Sequence, residues 1–281
     1  MLFTRSQIAS YALMFALMGC GDDEPAQGAE VGDGDATEPG STHYTASVTD
    51  SSSDMPIGGL NVFVLDNKTG MKTGQKAQTD ANGKIALDDV QVDADGKFGV
   101  LVEGKPGDTG FLDTFQYNLN PNAQNDILRI VATGAIALAT AAANFDENPA
   151  TGPVSGAVFT GTGAADRLPA DCLTIELEGF EDAPVKTGMR CTQDDLCVRY
   201  FFDQRIPDFG ATHTSAANGR FYIANVPPGP HTLHVIANGQ KIASTSLVVT
   251  ARNQGTTGET ISVANIYLGA GDTNPAKGSC E

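Results

Sequence analysis

The sequence predicts an all-β chain, with two antiparallel β-sandwich modules behind an N-terminal apolar segment and an acidic disordered linker. Three observations carry that expectation. The 281 residues include 32 Gly and 14 Pro but no Trp, a mix that suits short strands and frequent turns. Several short runs alternate apolar and polar residues with period two, the mark of a half-buried strand. One strand and turn pattern also occurs twice, starting at Thr45 and again at Ser155, and the length leaves room for two domains.

Residues 1–19 hold Arg5 followed by an apolar stretch from Ile8 to Met18. That is the pattern of an export signal, too short to cross a membrane as a helix. Leu17, Met18, Gly19 and Cys20 resemble the lipobox of bacterial lipoproteins, in which a small residue precedes the cysteine that is lipidated and becomes the new N-terminus. The resemblance implies cleavage before Cys20 and a membrane anchor through its acyl chains. Gly21, where an aspartate would resemble an inner-membrane retention signal, tilts the expectation towards the outer membrane.

From Cys20 to residue 42 the chain carries seven acidic residues, no basic ones and no apolar periodicity. Such a segment repels itself and reads as a disordered stalk. The formal net charge of the whole chain is −17, which disfavours nucleic acid and anionic surfaces as partners.

In the first copy Leu60, Val62 and Val64 alternate with Asn61 and Phe63. In the second Leu173, Ile175 and Leu177 alternate with Thr174 and Glu176. Further on, Thr79–Val90 matches Ser215–Val226, and Asn82-Gly83 and Asn218-Gly219 read as hairpin turns between strands. The expected modules are 43–147 and 148–281, with Asp146 to Gly152 as linker. Ile127 to Val131 reads as the last strand of the first module, whereas Ala135 to Ala143 is open between strand and helix.

Pro169 to Leu177, and above all Asn218 to Val235 with its Val-Pro-Pro-Gly turn, resemble the carboxypeptidase regulatory-like domain, a seven-stranded sandwich of transthyretin type. The second copy matches well, whereas the first lacks the Pro-Pro-Gly turn. The resemblance implies accessory modules that aid folding, attachment or ligand contact. It assigns no reaction, and a fold of this kind decides no function by itself.

Between the landmarks Val62/Ile175 and Asn82/Asn218 the second copy carries 23 extra residues, an insertion placed near 180–213. It holds Tyr200, Phe201, Phe202 and Phe209 among Arg199, Asp203, Arg205 and Asp208. Rings beside polar groups are what a sugar or a partner's side chain stacks on, so these four are the candidate ligand-binding residues. The competing reading is packing, because alternate residues of a strand face opposite sides.

Besides Cys20 there are Cys172, Cys191, Cys197 and Cys280, an even number that reads as two disulfides in an exported chain. Three connectivities are possible. The favoured one joins Cys191 with Cys197 and Cys172 with Cys280.

No reaction motif stands out. The chain has four histidines; His231 and His234 lie on one expected strand with opposite parity, His231 half-buried and His234 facing solvent. The Asp80 and Asp93 turns lack the distal glutamate of a calcium loop and read as ordinary turns. No cofactor, no metal and no catalytic residues are expected. The leading reading is a noncatalytic envelope lipoprotein that binds polysaccharide or another envelope protein through the inserted loop. A structural spacer or assembly component is the alternative, and a hydrolase with an unrecognised site the third.

Overall fold

A computed structural model describes residues 42–104, 110–163, 166–181, 189–201, 206–255, 259–269, 274–278 and 280. The expected signal segment, Cys20 and the expected acidic stalk lie outside these residues. Residues 40–281 form one compact unit.

The first copy folds as seven strands: β1 (His43–Asp50), β2 (Asn61–Leu65), β3 (Lys72–Gln78), β4 (Lys84–Asp88), β5 (Phe98–Val102), β6 (Asp113–Leu119) and β7 (Asp126–Ile130). A helix, α1 (Thr133–Ala143), leads to β8 (Gly152–Thr160), the two-residue β9 (Leu168–Pro169), β10 (Thr174–Leu177), β11 (Cys197–Tyr200), β12 (Arg220–Val226), β13 (Gly229–Ala237), β14 (Gln240–Val249) and β15 (Thr260–Tyr267). The all-β expectation holds, and α1 settles the open Ala-rich stretch as helix.

Each copy sets a three-stranded sheet against part of a long sheet. The three-stranded sheets run β4-β1-β7 and β10-β13-β14, and the long sheet runs β11-β12-β8-β15-β6-β5-β2-β3 with β9 paired to β8. The copies correspond strand for strand in their central pairs. β1 lies antiparallel to β4 and parallel to β7, as β8 lies antiparallel to β12 and parallel to β15. Even the turn glycines are equivalent: the Gly83 carbonyl accepts from the Val48 amide at 2.8 Å and the Gly219 carbonyl from the Val158 amide at 2.9 Å. A Cβ on Gly83 would lie 2.8 Å from the Val48 carbonyl oxygen, and one on Gly219 2.3 Å from that of Val158. Both glycines have φ near the left-handed region, +74° and +63°, so Gly is required twice at the same place.

Neither Asn-Gly makes the expected hairpin. β3 pairs with β2 and β4 with β1, so the first turn passes between two sheets. β11 and β12 do pair, but the whole segment 201–219 joins them. Local turn chemistry stops a strand; which sheet receives the next strand is decided by packing.

Three apolar cores follow from this layering. Val62, Val64, Val100 and Val102 pack with Tyr44, Val48 and Leu128 inside the first sandwich. Val154, Val158, Phe221 and Ile223 pack with Ile175, Leu233 and Val235 inside the second, and Leu101, Phe115 and Tyr117 of the first copy join that core. The third core lies on the opposite face of the second copy's half of the long sheet, where Ile136 and Ala143 of α1 and Phe145 cover Tyr222, Ala224 and Val263.

Candidate functional site

The two copies meet edge to edge. β15 runs parallel to β6 with Thr260 beside Asp113, Ile261 beside Thr114, Ser262 beside Phe115 and Val263 beside Gln116. Because β6 alternates, Phe115 and Tyr117 turn towards the second copy's core while Gln116 turns back to β7, exchanging hydrogen bonds with the Arg129 backbone at 3.1 Å in both directions. Side chains lock the seam. Across it, Asn118 Nδ2 donates to Thr245 Oγ1 at 2.8 Å and to the Ser246 carbonyl, and within the second copy Ser262 Oγ donates to the Val248 carbonyl at 3.0 Å. The Asn118 amide in turn donates to Asn67 Oδ1 at 2.8 Å. The loop after β14 is tied back by Arg252, which pairs with Glu147 and with Glu259.

Among the described residues of the inserted segment, Tyr200 and Phe201 form no open aromatic surface. Tyr200 is fully buried, and its phenol oxygen accepts the Ile175 amide at 2.8 Å. Burial raises its pKa, with the Glu176 carboxylate adding to the rise. Phe201 is buried in the third core, Phe209 is half-buried near the Arg199 guanidinium, and Phe202 lies outside the described residues. The rings offered as a sugar platform are therefore packing residues at Tyr200 and Phe201. The physical reason is a change of sheet. In the first copy the third strand, β3, joins β2 at an exposed edge, whereas β11 joins β12 and all four of its residues are buried.

Arg199 shows how deep the segment lies. It is fully buried, donating to the carbonyls of Val198 at 3.1 Å and Met189 at 2.8 Å and to Cys191 Sγ at 3.3 Å. Its guanidinium sits 5.3 Å from the Phe145 ring centroid and 5.5 Å from that of Phe209. Burial lowers its pKa.

Both favoured disulfides are present: Cys191–Cys197, with Cα atoms 6.3 Å apart, and Cys172–Cys280, at 5.0 Å. The first closes the loop leading into β11. The second ties the C-terminal tail to the turn before β10, where Asn274 Nδ2 also donates to the Asp171 carbonyl at 2.8 Å. Asp171, Cys172 and Cys280 cluster as a metal site would, but their sulfurs are bonded to each other and are not thiolate ligands.

Histidines and aspartates serve the framework. His234, expected in solvent, is 7% exposed and shares a 2.9 Å hydrogen bond with Ser244 Oγ; it lies on the central strand of its sheet, flanked in register by Glu176 of β10 and Ser244 of β14. His231 Nε2 meets the Pro227 carbonyl at 2.7 Å, and His213 Nδ1 the Thr214 carbonyl at 3.1 Å. Asp80 Oδ1 accepts the amides of Asn82 and Lys84, both at 2.8 Å, and Asp93 Oδ1 those of Asp95 and Lys97, both at 2.9 Å. These oxygens cap their own turns.

No protein-family model matches the chain, and no curated protein matches it. Among solved structures it is similar to the Bacillus anthracis TIE protein, at 10% identity and a TM-score of 0.24 over 81% of this chain. The chain spans 33% of that protein's length. It is also similar to the shaft pilin SpaA from Lactobacillus rhamnosus GG, at 11% identity and 0.23 over 82% of this chain and 98% of that one. For GBS52, the minor pilin of Streptococcus agalactiae, the values are 13% and 0.23 over 83% and 97%.

Proposed function

We propose that this protein is a noncatalytic structural spacer or assembly component of the cell envelope, anchored by lipid on Cys20 and carried on the acidic stalk. The observation that carries this reading is the β6–β15 seam. Parallel pairing over Thr260–Val263 and Asp113–Gln116 makes two sandwiches one continuous sheet. Modules that bind independently are commonly joined by small, polar interfaces and move relative to each other. Here Phe115, Tyr117 and Leu101 of the first copy are buried in the second copy's core, which removes that freedom. The two exposed lysines of β3, Lys72 and Lys76, guard the far edge of the long sheet against pairing with further strands. Burial of Tyr200 and Phe201 removes two of the four rings on which polysaccharide binding rested. The membrane is the partner this reading requires; the Gly19-Cys20-Gly21 context supports the outer one.

The test is a distance distribution between spin labels on two exposed positions, Lys76 of the first copy and Gln193 of the second. A spacer requires one narrow distance, unchanged by envelope extract or polysaccharide; a broad or multimodal distribution overturns it. Incorporation of labelled fatty acid, lost in Cys20→Ala, checks the anchor separately.

A further inference from the structure

The two strands of the seam part beyond their pairing. β15 lies in register with β6 from Thr260 and Asp113 to Val263 and Gln116. Past that point the β5–β6 register shifts between Phe98 and Val100, and Asn118 takes a left-handed φ of +62°, which asparagine tolerates better than most residues. Its amide turns to Asn67 Oδ1 and its side chain to Thr245 and Ser246. β15 continues along β8, with Asn265 beside Ala157 and Tyr267 beside Phe159. Where the strands diverge lies a cleft of about 680 Å³, walled by β14 and β15 of the second copy and by β6 and the turn after it in the first.

The lining of this cleft departs from the acidity of the chain. Val263, Asn265 and Tyr267 share one face of β15. The Tyr267 ring stacks on Phe159, with centroids 5.7 Å apart and planes inclined by 28°. Arg167 holds the pair, its guanidinium 5.0 Å from the Phe159 centroid and hydrogen-bonded to the Tyr267 hydroxyl. Because β8 flanks β15 on one side and β6 on the other, the stack leaves the second face of the Tyr267 ring to the cleft, and the residue is partly exposed. The Asn265 side chain, also partly exposed, has no hydrogen-bond partner among the described residues. On the opposite wall Asn120 is exposed; its Oδ1 accepts the Asn122 amide at 3.0 Å, and its Nδ2 has no partner among the described residues. The two carboxylates at the cleft are engaged: Asp126 accepts the Tyr44 hydroxyl and Asp166 the amides of Thr162 and Gly163, all at 3.0 Å.

We propose that this cleft binds a short neutral oligosaccharide, with one pyranose stacked on Tyr267 and its hydroxyls hydrogen-bonded by Asn265 and Asn120. A carboxamide donates and accepts, as each sugar hydroxyl does, and an aromatic face covers the apolar C–H face of a pyranose. The volume lies in the range of small-molecule sites. The stack on Phe159 fixes the ring beforehand, so little freedom is lost when a ligand settles on it. Neither copy forms the site alone, since Asn120 belongs to the first and Asn265 and Tyr267 to the second. The inference goes beyond the spacer reading and does not rest on it: filling a preformed cleft leaves the distance between the copies unaltered.

Fluorine NMR of the compact unit of residues 40–281, with 3-fluorotyrosine in place of tyrosine, tests the proposal; the signal missing in Tyr267→Phe identifies Tyr267. Cellotriose, maltotriose, mannotriose and chitotriose are added in turn. At least one should shift the Tyr267 signal saturably and leave those of Tyr200 and Tyr222, which are buried elsewhere, in place. By calorimetry Asn265→Ala should bind that sugar roughly tenfold more weakly at an unchanged melting temperature, because its amide supports no other group. Tyr267→Phe should keep the affinity and Tyr267→Ala lose it, since the ring face and not the hydroxyl makes the contact; Asn265→Ala serves alone if Tyr267→Ala unfolds. No shift with any of the four sugars, binding that leaves the Tyr267 signal in place, or undiminished binding to Asn265→Ala overturns the proposal. A shift of Tyr267 by an acetylated hexapeptide of alternating threonine and valine, and by none of the sugars, would also overturn it and make the cleft an acceptor of extended strands.

Discussion

Ser262 of β15 lies beside Phe115 of β6 in a parallel register, so a residue from one copy and a residue from the other face the same core. Phe115 is 8% exposed and belongs to the core built mainly by the second copy. The two copies should therefore unfold as one. Phe115→Ala is expected to cost about 3 to 5 kcal/mol, the range for deleting a buried aromatic ring. Denaturant unfolding followed by hydrogen exchange should show amides of both copies losing protection together. If only β1–β7 are affected, the copies are energetically separate.

The two disulfides should contribute unequally. Cys172–Cys280 closes a sequence separation of 108 residues and Cys191–Cys197 one of 6. In the chain-entropy account the long loop is worth about 4 to 5 kcal/mol and the short one about 2 kcal/mol. Cys172→Ser/Cys280→Ser should thus lower the urea midpoint more than Cys191→Ser/Cys197→Ser. The reverse order would mean that the short bridge acts through the native packing of Arg199, whose guanidinium donates to Cys191 Sγ.

Alkaline pH should unfold the protein cooperatively. Burial raises the pKa of Tyr44, Tyr117, Tyr200 and Tyr222, and at Tyr44 the Asp126 carboxylate, which accepts its hydroxyl hydrogen at 3.0 Å, adds to the rise. An unfolded tyrosine ionises near pH 10, so above that pH the unfolded chain holds fewer protons than the folded one. Stability is therefore fully present below about pH 10 and falls by up to about 1.4 kcal/mol per pH unit for each such group, until the folded pKa is passed. Tyrosinate absorbance and far-ultraviolet circular dichroism should change at the same pH. Reversible ionisation of these tyrosines near pH 10 in a chain that stays folded would show them to be accessible.

Strands whose two faces meet different environments could be read directly. Leu60, Val62 and Val64, and Leu173, Ile175 and Leu177, alternate because one side packs in the sandwich, and each of the six is buried. Where both faces are covered, alternation disappears. β11 reads Cys-Val-Arg-Tyr, with Val198 and Tyr200 in the sandwich core and Cys197 in the third core. In the sequence that run is open between a binding loop and a packed strand. The polar parity of Arg199 concealed a buried guanidinium whose two terminal nitrogens donate to backbone carbonyls and sulfur, while its Nε is buried without a partner among the described residues.

By itself the sequence determined the β class, the repetition of one module, the glycines at 83 and 219 and the cysteines available for pairing. These rest on local properties: side-chain periodicity, backbone freedom at positive φ, and the number of thiols. Tertiary structure alone decided that β6 pairs with β15, that β11 joins β12 whereas its counterpart β3 joins β2, and that Ala135 to Ala143 is helical. The strand pairings bring together residues far apart in the chain. No local preference sets such a meeting, because it depends on which exposed strand edge and which uncovered apolar face remain once both sandwiches have formed.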